Sequence, residues 1–214
     1  MKKIIITLFL VGLLLLSLTV YAMANSISVS SLIEPKWEQT GKQTNNDLKG
    51  ISVNGDVTFG NDFTLWFDFT SRIDETDSGD IDLDNHYIKL SCLDLIENDA
   101  AILEITAGYN WLSCDIPNTN NSKYTGYIIG LDGKLWLSEK SELEGAVGYS
   151  IHGKGKVGSA DEDATILLSN ITYSYFFAGN LGTSLGYKFE QYKLSDTNKK
   201  TTFSGPTFGL TYQF

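Results

Sequence analysis

The stretch Leu103-Glu104-Ile105-Thr106-Ala107-Gly108-Tyr109-Asn110-Trp111 alternates apolar with polar or small residues at every step. Successive side chains of an extended strand leave opposite faces, so a period of two writes one apolar face and one polar face. The period continues on either side. Ile51, Val53, Val57 and Phe59 alternate with Ser52, Asn54, Asp56 and Thr58, and Phe63, Leu65, Phe67 and Phe69 alternate with Thr64, Trp66, Asp68 and Thr70. It recurs over residues 127–137, 143–151, 167–177, 181–191 and 206–214, with weaker versions at 27–37 and 86–93. No stretch of similar length carries the 3.6-residue period of an amphipathic helix. The chain reads as all-β, with ten strands expected. Eight strands is the alternative, with residues 27–37 as a tail or plug, because Pro35 weakens that segment as a strand.

Connections carry the topology. Gly60-Asn61-Asp62, Glu139-Lys140-Ser141 and Ala178-Gly179-Asn180 are tight, as is the turn near residues 96–100, while polar stretches at 38–47, 75–82, 115–122, 153–163 and 195–204 are long. Short turns at one end and long connections at the other describe a closed, antiparallel, up-and-down transmembrane β-barrel. The apolar faces carry no charge along these segments and hold aromatic residues near strand ends: Trp37, Phe59, Phe63, Tyr109, Trp111, Tyr127, Tyr149, Tyr175, Phe177, Tyr212 and Phe214. Amphipathic rings collect at the two water–lipid boundaries, so this set reads as an aromatic girdle and the apolar face as the lipid face.

The flanks and the composition agree. Lys2 and Lys3 precede the apolar run Ile4 to Val20, which ends in Ala22-Met23-Ala24, the pattern of a secretory signal peptide over residues 1–24 with the barrel in 25–214. The chain has 214 residues, a formal net charge of −10 and Arg72 as its single arginine, which disfavours nucleic acid as a partner.

Thr207-Phe208-Gly209-Leu210-Thr211-Tyr212-Gln213-Phe214 resembles the C-terminal signal of bacterial outer-membrane β-barrels, small porin-like or OmpA-like proteins of the Gram-negative envelope. The resemblance implies that Thr207, Gly209, Tyr212 and Phe214 serve insertion by the barrel-assembly machinery, and that outer-membrane lipid surrounds the protein. It implies an architecture and no subfamily.

Candidate chemistry lies on the polar face. Asp56, Asp68, Glu104, Asp132, Glu142, Glu144 and Glu190 face Arg72, Lys89, Lys134 and Lys188 across the expected lumen. A narrow cation-favouring path would use such a lining, and so would a packed ion-pair network; a barrel this small favours the network. Asp80, Asp82 and Asp84 are weak metal candidates beside Asp74 and Asp77, without the glycine and glutamate spacing of an EF-hand, and Asp161-Glu162-Asp163 form a second acidic run. A solvated acidic loop explains both runs. Ser150 and His152, two residues apart, are expected on one face and are the best pair for nucleophilic chemistry, without a third member. Cys92 is expected opposite residue 105, nine positions from Cys114, or roughly 30 Å at about 3.3 Å per residue, so free thiols are expected.

The expected function is that of an integral outer-membrane barrel, structural or a narrow passive channel, without catalysis or cofactor. Its rivals are a surface binding or adhesion barrel using acidic external loops and, third, a barrel enzyme.

Overall fold

The computed structural model describes residues 23–32, 36–39, 42–44, 49–59, 63–76, 79–115, 121–158 and 160–214. Residues 1–22 lie outside this set, so the signal-peptide reading falls mostly beyond it. All the regular structure described is β: β1 Met23–Leu32, β2 Lys36–Gln39, β3 Lys42–Thr44, β4 Lys49–Phe59, β5 Phe63–Thr76, β6 Gly79–Asn98, β7 Ala101–Asp115, β8 Ser122–Ser138, β9 Ser141–Val157, β10 Ala160–Ala178, β11 Leu181–Leu194 and β12 Lys200–Gln213.

Ten of these strands, β1 and β4 to β12, pair antiparallel with their neighbours, and β1 closes the ring on β12 from Ser26↔Gln213 to Leu32↔Thr207. Closure satisfies every edge, which a strand surrounded by hydrocarbon requires. The ring needs Gly209. It faces Ser30 on one side and Ser184 on the other, and a Cβ there would stand 2.6 Å from the Val29 carbonyl oxygen.

The weak first segment is divided. β2 takes over the β12 edge above β1, pairing Lys36↔Ser204 to Gln39↔Thr201. Between Leu32↔Thr207 and Lys36↔Ser204 the register against β12 slips by one residue. β3 completes a short hairpin with β2.

Short turns gather at one end, and local chemistry closes them. The Asn98 carboxamide oxygen accepts the N–H groups of Ala100 (2.9 Å) and Ala101 (3.0 Å), the Ser138 hydroxyl accepts that of Lys140 (3.2 Å), and Gly179 takes a positive φ of 58° in open space. The other end corrects an expectation. Stretches read as long loops are largely strand: β5 and β6 pair out to Thr76↔Gly79, and β9 and β10 out to Val157↔Ala160. Polar residues that cannot face lipid still pair their backbones, so the hairpins project beyond the apolar belt.

That belt is the outer surface. Ile151 is 68 % exposed, Leu185 58 %, Leu210 55 % and Ile129 48 %. Large aliphatic side chains displayed in a continuous band need an apolar solvent.

Candidate functional site

Alternation turns the polar residues inward, and the lumen is built from them in layers. Nearest the short turns, Lys134 on β8 bridges Glu144 at 2.6 Å and Glu142 at 3.9 Å on β9, and Gln213 donates to Glu142 at 3.0 Å. Ser26 donates to Asp56 from the neighbouring strand, and Glu104 is 5 % exposed on β7. Asp56, Glu104, Lys134 and Gln213, with Trp66 and Trp136, line a vestibule of about 330 Å3 at this end.

One layer further in, Lys89 on β6 pairs with Asp132 on β8, which also accepts the Thr106 hydroxyl at 2.5 Å. Lys89 sits 5.1 Å from the Trp66 ring centre. Lys188 on β11 donates to Asp68 at 2.8 Å and to Thr70 at 2.6 Å, and pairs with Glu190 at 3.1 Å. A chamber of about 90 Å3 opens between Lys89, Asp132, Lys188 and Asn170.

Above it, Arg72 on β5 reaches across the barrel to Glu190 on β11 at 3.0 Å, each 1 % exposed. Asn85 donates to the other Glu190 oxygen at 3.0 Å, and Asn110 donates to Asn85 at 2.7 Å. Every lumen charge expected from the sequence therefore lies inside the ring. The neutral partners Ser52, Thr70, Asn85, Thr106 and Asn110 do not stand out in the sequence, because a small polar residue carries no signal until its neighbour across the barrel is known.

The outermost layer is apolar. Leu83, Leu112, Tyr124, Ile128, Ile166, Leu168, Tyr192, Leu194 and Phe203, with Cys114 and Ala164, form one buried cluster. Their register puts them on the inward face: Leu83 lies opposite Arg72 and Cys114, and Phe203 opposite Glu190. Tyr192 packs on Tyr124 at 5.2 Å and on Phe203 at 6.3 Å, and the Arg72 guanidinium lies 5.0 Å over the Phe203 ring. The expectation of a polar inner face is corrected here for this outermost layer. Consecutive apolar pairs such as Ile128-Ile129 and Leu167-Leu168 were its available signal, since they give both faces of a strand apolar side chains.

The nucleophile pair fails on geometry. Tyr127 faces His152 while Ile128 faces Ser150, so Ile151 is an extra residue. This bulge puts the exposed His152 outside and the buried Ser150 inside, where its hydroxyl accepts the Ile166 N–H at 2.8 Å. His86 also faces outward, between Phe69 (5.3 Å) and Trp111 (5.1 Å). The cysteines are free. Cys92 is itself a bulge residue, between Ser91↔Thr106 and Leu93↔Ile105, and Cys114 faces Leu83.

Around the outer face, Tyr109, Tyr127 and Tyr149 stand exposed towards the long hairpins with Trp111 half-buried beside them, and Tyr175, Phe177, Tyr212 and Phe214 stand exposed near the short turns with Phe59 half-buried. Trp37 and Phe63 fall on strand positions whose side chains are outside the described set, as does Asp80. Asp82 faces Asp115 across β6 and β7, and Asp84 faces Ser71 and Ser113. Among the described residues no three His, Cys, Asp or Glu groups converge as a metal site. On the projecting hairpin Lys154 bridges Asp163 at 2.5 Å, and that hydrogen bond holds the Asp163 carboxyl below the usual carboxylate range.

Thr207 and Gly209 face inward, and Tyr212 and Phe214 face outward with their rings 5.0 Å apart. Phe214→Ser is expected to leave the exported chain unassembled. Normal heat-modifiable migration of that variant on gels would rule out an insertion role for the terminal aromatic.

No protein-family model and no curated protein sequence matches the chain. Among solved structures, the outer membrane protease OmpT from Escherichia coli superposes with a TM-score of 0.53 at 12% identity, covering 89% of this chain and 97% of that one. The attachment invasion locus protein Ail of Yersinia pestis gives 0.43 at 16% identity, over 89% and 98%, and the KdgM porin 0.37 at 13%, over 88% and 99%. At 12% identity the likeness to OmpT is one of fold.

Proposed function

We propose, for a chain that has the fold of the bacterial outer-membrane β-barrels, that it is an integral outer-membrane protein with a closed lumen, structural in role and without catalysis. The observation that carries this reading is the filled outer half of the barrel. Arg72, Glu190, Lys188 and Asn85 interlock from opposite walls, and Tyr124, Tyr192 and Phe203 cover them. A ten-strand ring leaves an interior that side chains nearly fill, and an apolar constriction of this kind excludes water. Both histidines of the chain face outward, away from the buried carboxylates, which supports the absence of His-based chemistry.

Purified protein in planar bilayers is expected to be electrically silent. Discrete cation-selective steps from the unmodified chain would overturn the closed-lumen reading in favour of a narrow passive channel. A second reading, a surface binding barrel, is favoured by the paired hairpins that project past the apolar belt with Asp161, Glu162 and Asp163 on one of them.

A further inference from the structure

We propose that the vestibule at the short-turn end binds a small organic ammonium ion, with Glu104 as its counter-charge and Trp136 as its aromatic wall. The site lies on the far side of the lumen from the apolar cap and goes beyond the structural role proposed above.

The lumen is unevenly charged along its length. In the middle, Arg72 and Lys188 meet Glu190 and Asp68. The short-turn half holds five carboxylates, on Asp56, Glu104, Asp132, Glu142 and Glu144, and two lysines, Lys89 and Lys134, among the described residues. Lys89 takes Asp132, and Lys134 takes Glu144 and Glu142. Glu104 is 5 % exposed and makes no ion pair within 4.0 Å among the described residues. The Ser91 hydroxyl donates to it, and Lys89 attracts it only at longer range, being engaged by Asp132. The register surrounds it with like charge, because it stands opposite Asp132 on β8 and opposite Asp94 on β6. A buried carboxylate between two others is ionised at low cost only when a cation lies beside it.

Room for that cation is present. Glu104 lines the cavity of about 330 Å3 together with Ile102, Trp66 and Trp136. Trp66 already draws two ammonium groups, Lys89 at 5.1 Å and Lys134 at 5.8 Å from its ring centre. No lysine or arginine lies over the half-buried Trp136 among the described residues, so its ring is left to a ligand. The face of an indole attracts cations, and more strongly where water is scarce. The same lining disfavours a divalent metal ion, since no three acidic, His or Cys groups converge among the described residues. One carboxylate, one ring and the aliphatic Ile102 suit the charged head and apolar body of an alkylammonium ion.

The test uses the full chain folded in neutral detergent micelles at pH 8 and titrated with n-butylammonium chloride. Sodium chloride at the same ionic strength supplies the charge without the apolar body, and 1-butanol the body without the charge. Intrinsic tryptophan fluorescence is expected to change saturably with butylammonium alone, with a dissociation constant on the order of 1 mM. At ten times that concentration the thermal midpoint of the heat-modifiable form should rise by roughly 3–6 °C. Glu104→Gln should weaken binding at least tenfold, and Trp136→Leu should lose most of the midpoint rise. Without ligand, Glu104→Gln should melt at or above the unmodified midpoint, because the repulsion from Asp94 and Asp132 has gone; a purely structural glutamate would give a fall. Asp163→Asn, at the opposite end of the barrel, should bind as the unmodified chain does.

Unchanged affinity in Glu104→Gln overturns the proposal. An equal response to sodium chloride overturns it in favour of an inorganic cation, and an equal response to 1-butanol in favour of an apolar pocket. Silence towards butylammonium overturns it as well, since Glu104 is then neutral or balanced within the chain. Conductance of the same preparation in planar bilayers is a separate readout: steps there refute the closed lumen and leave the binding result standing.

Discussion

Arg72→Ala is expected to lower the stability of the barrel by about 3–5 kcal/mol, the cost typical of removing one partner from a buried ion pair. Arg72 and Glu190 are each 1 % exposed, and removing the guanidinium leaves Glu190 with Lys188 at 3.1 Å and Asn85 at 3.0 Å. At about 2–4 °C per kcal/mol for a chain of this size, the melting midpoint should fall clearly. Much of the loss should come from Glu190 having to share the one remaining ammonium, Lys188, with Asp68, so adding Glu190→Gln to Arg72→Ala should restore a good part of it. The same variant discriminates the two readings of the lumen. A hydrated path would screen Glu190, leaving the midpoint nearly unmoved while cation conductance changed; a stable, conducting Arg72→Ala protein would remove the case for a packed interior.

The second large effect lies on the opposite face of the same strand. Phe67 points outward and packs on Phe69 at 5.7 Å, within the apolar belt. Phe67→Lys places a charge against hydrocarbon near mid-depth, at a cost of about 2–4 kcal/mol. Thr64, three residues earlier, faces the lumen and shares a hydrogen bond with Thr58 at 3.1 Å. Lysine there meets Asp56 and Glu104 around the same vestibule, so Thr64→Lys should be far milder. Comparing the urea midpoints of the two variants in one lipid tests the assignment of faces; equal losses would mean that the faces are wrongly assigned.

Which parts of this molecule could be read from the chain follows from the range of the interactions involved. The strand period, the lipid face, the short-turn end and the inward placement of Arg72, Lys89, Lys188 and Glu190 depend on alternation, a property of neighbouring residues. Ser150 and His152 were misplaced because the extra residue Ile151 flips the phase, and a bulge is defined by the partner strand, where Tyr127 and Ile128 face His152 and Ser150. The projecting hairpins look like loops in the sequence because their residues are polar, yet backbone pairing persists where these strands leave the barrel side by side. The apolar cap was missed because Leu83, Tyr124, Ile166, Tyr192 and Phe203 come from five different strands.

The sequence by itself determined an antiparallel ring of strands with an apolar outside and a charged inside: a period of two writes two unlike faces, and the uncharged apolar face with its aromatic rows, against a face of mixed charges, says which of them meets hydrocarbon. Only the tertiary structure decided which charge meets which, that Arg72 spans the barrel to Glu190 over a sequence separation of 118, and that aromatic side chains close the lumen above them. The physical reason is closure. Joining β1 to β12 sets the register of every strand against its neighbours, and that register selects the partners that face one another across the interior.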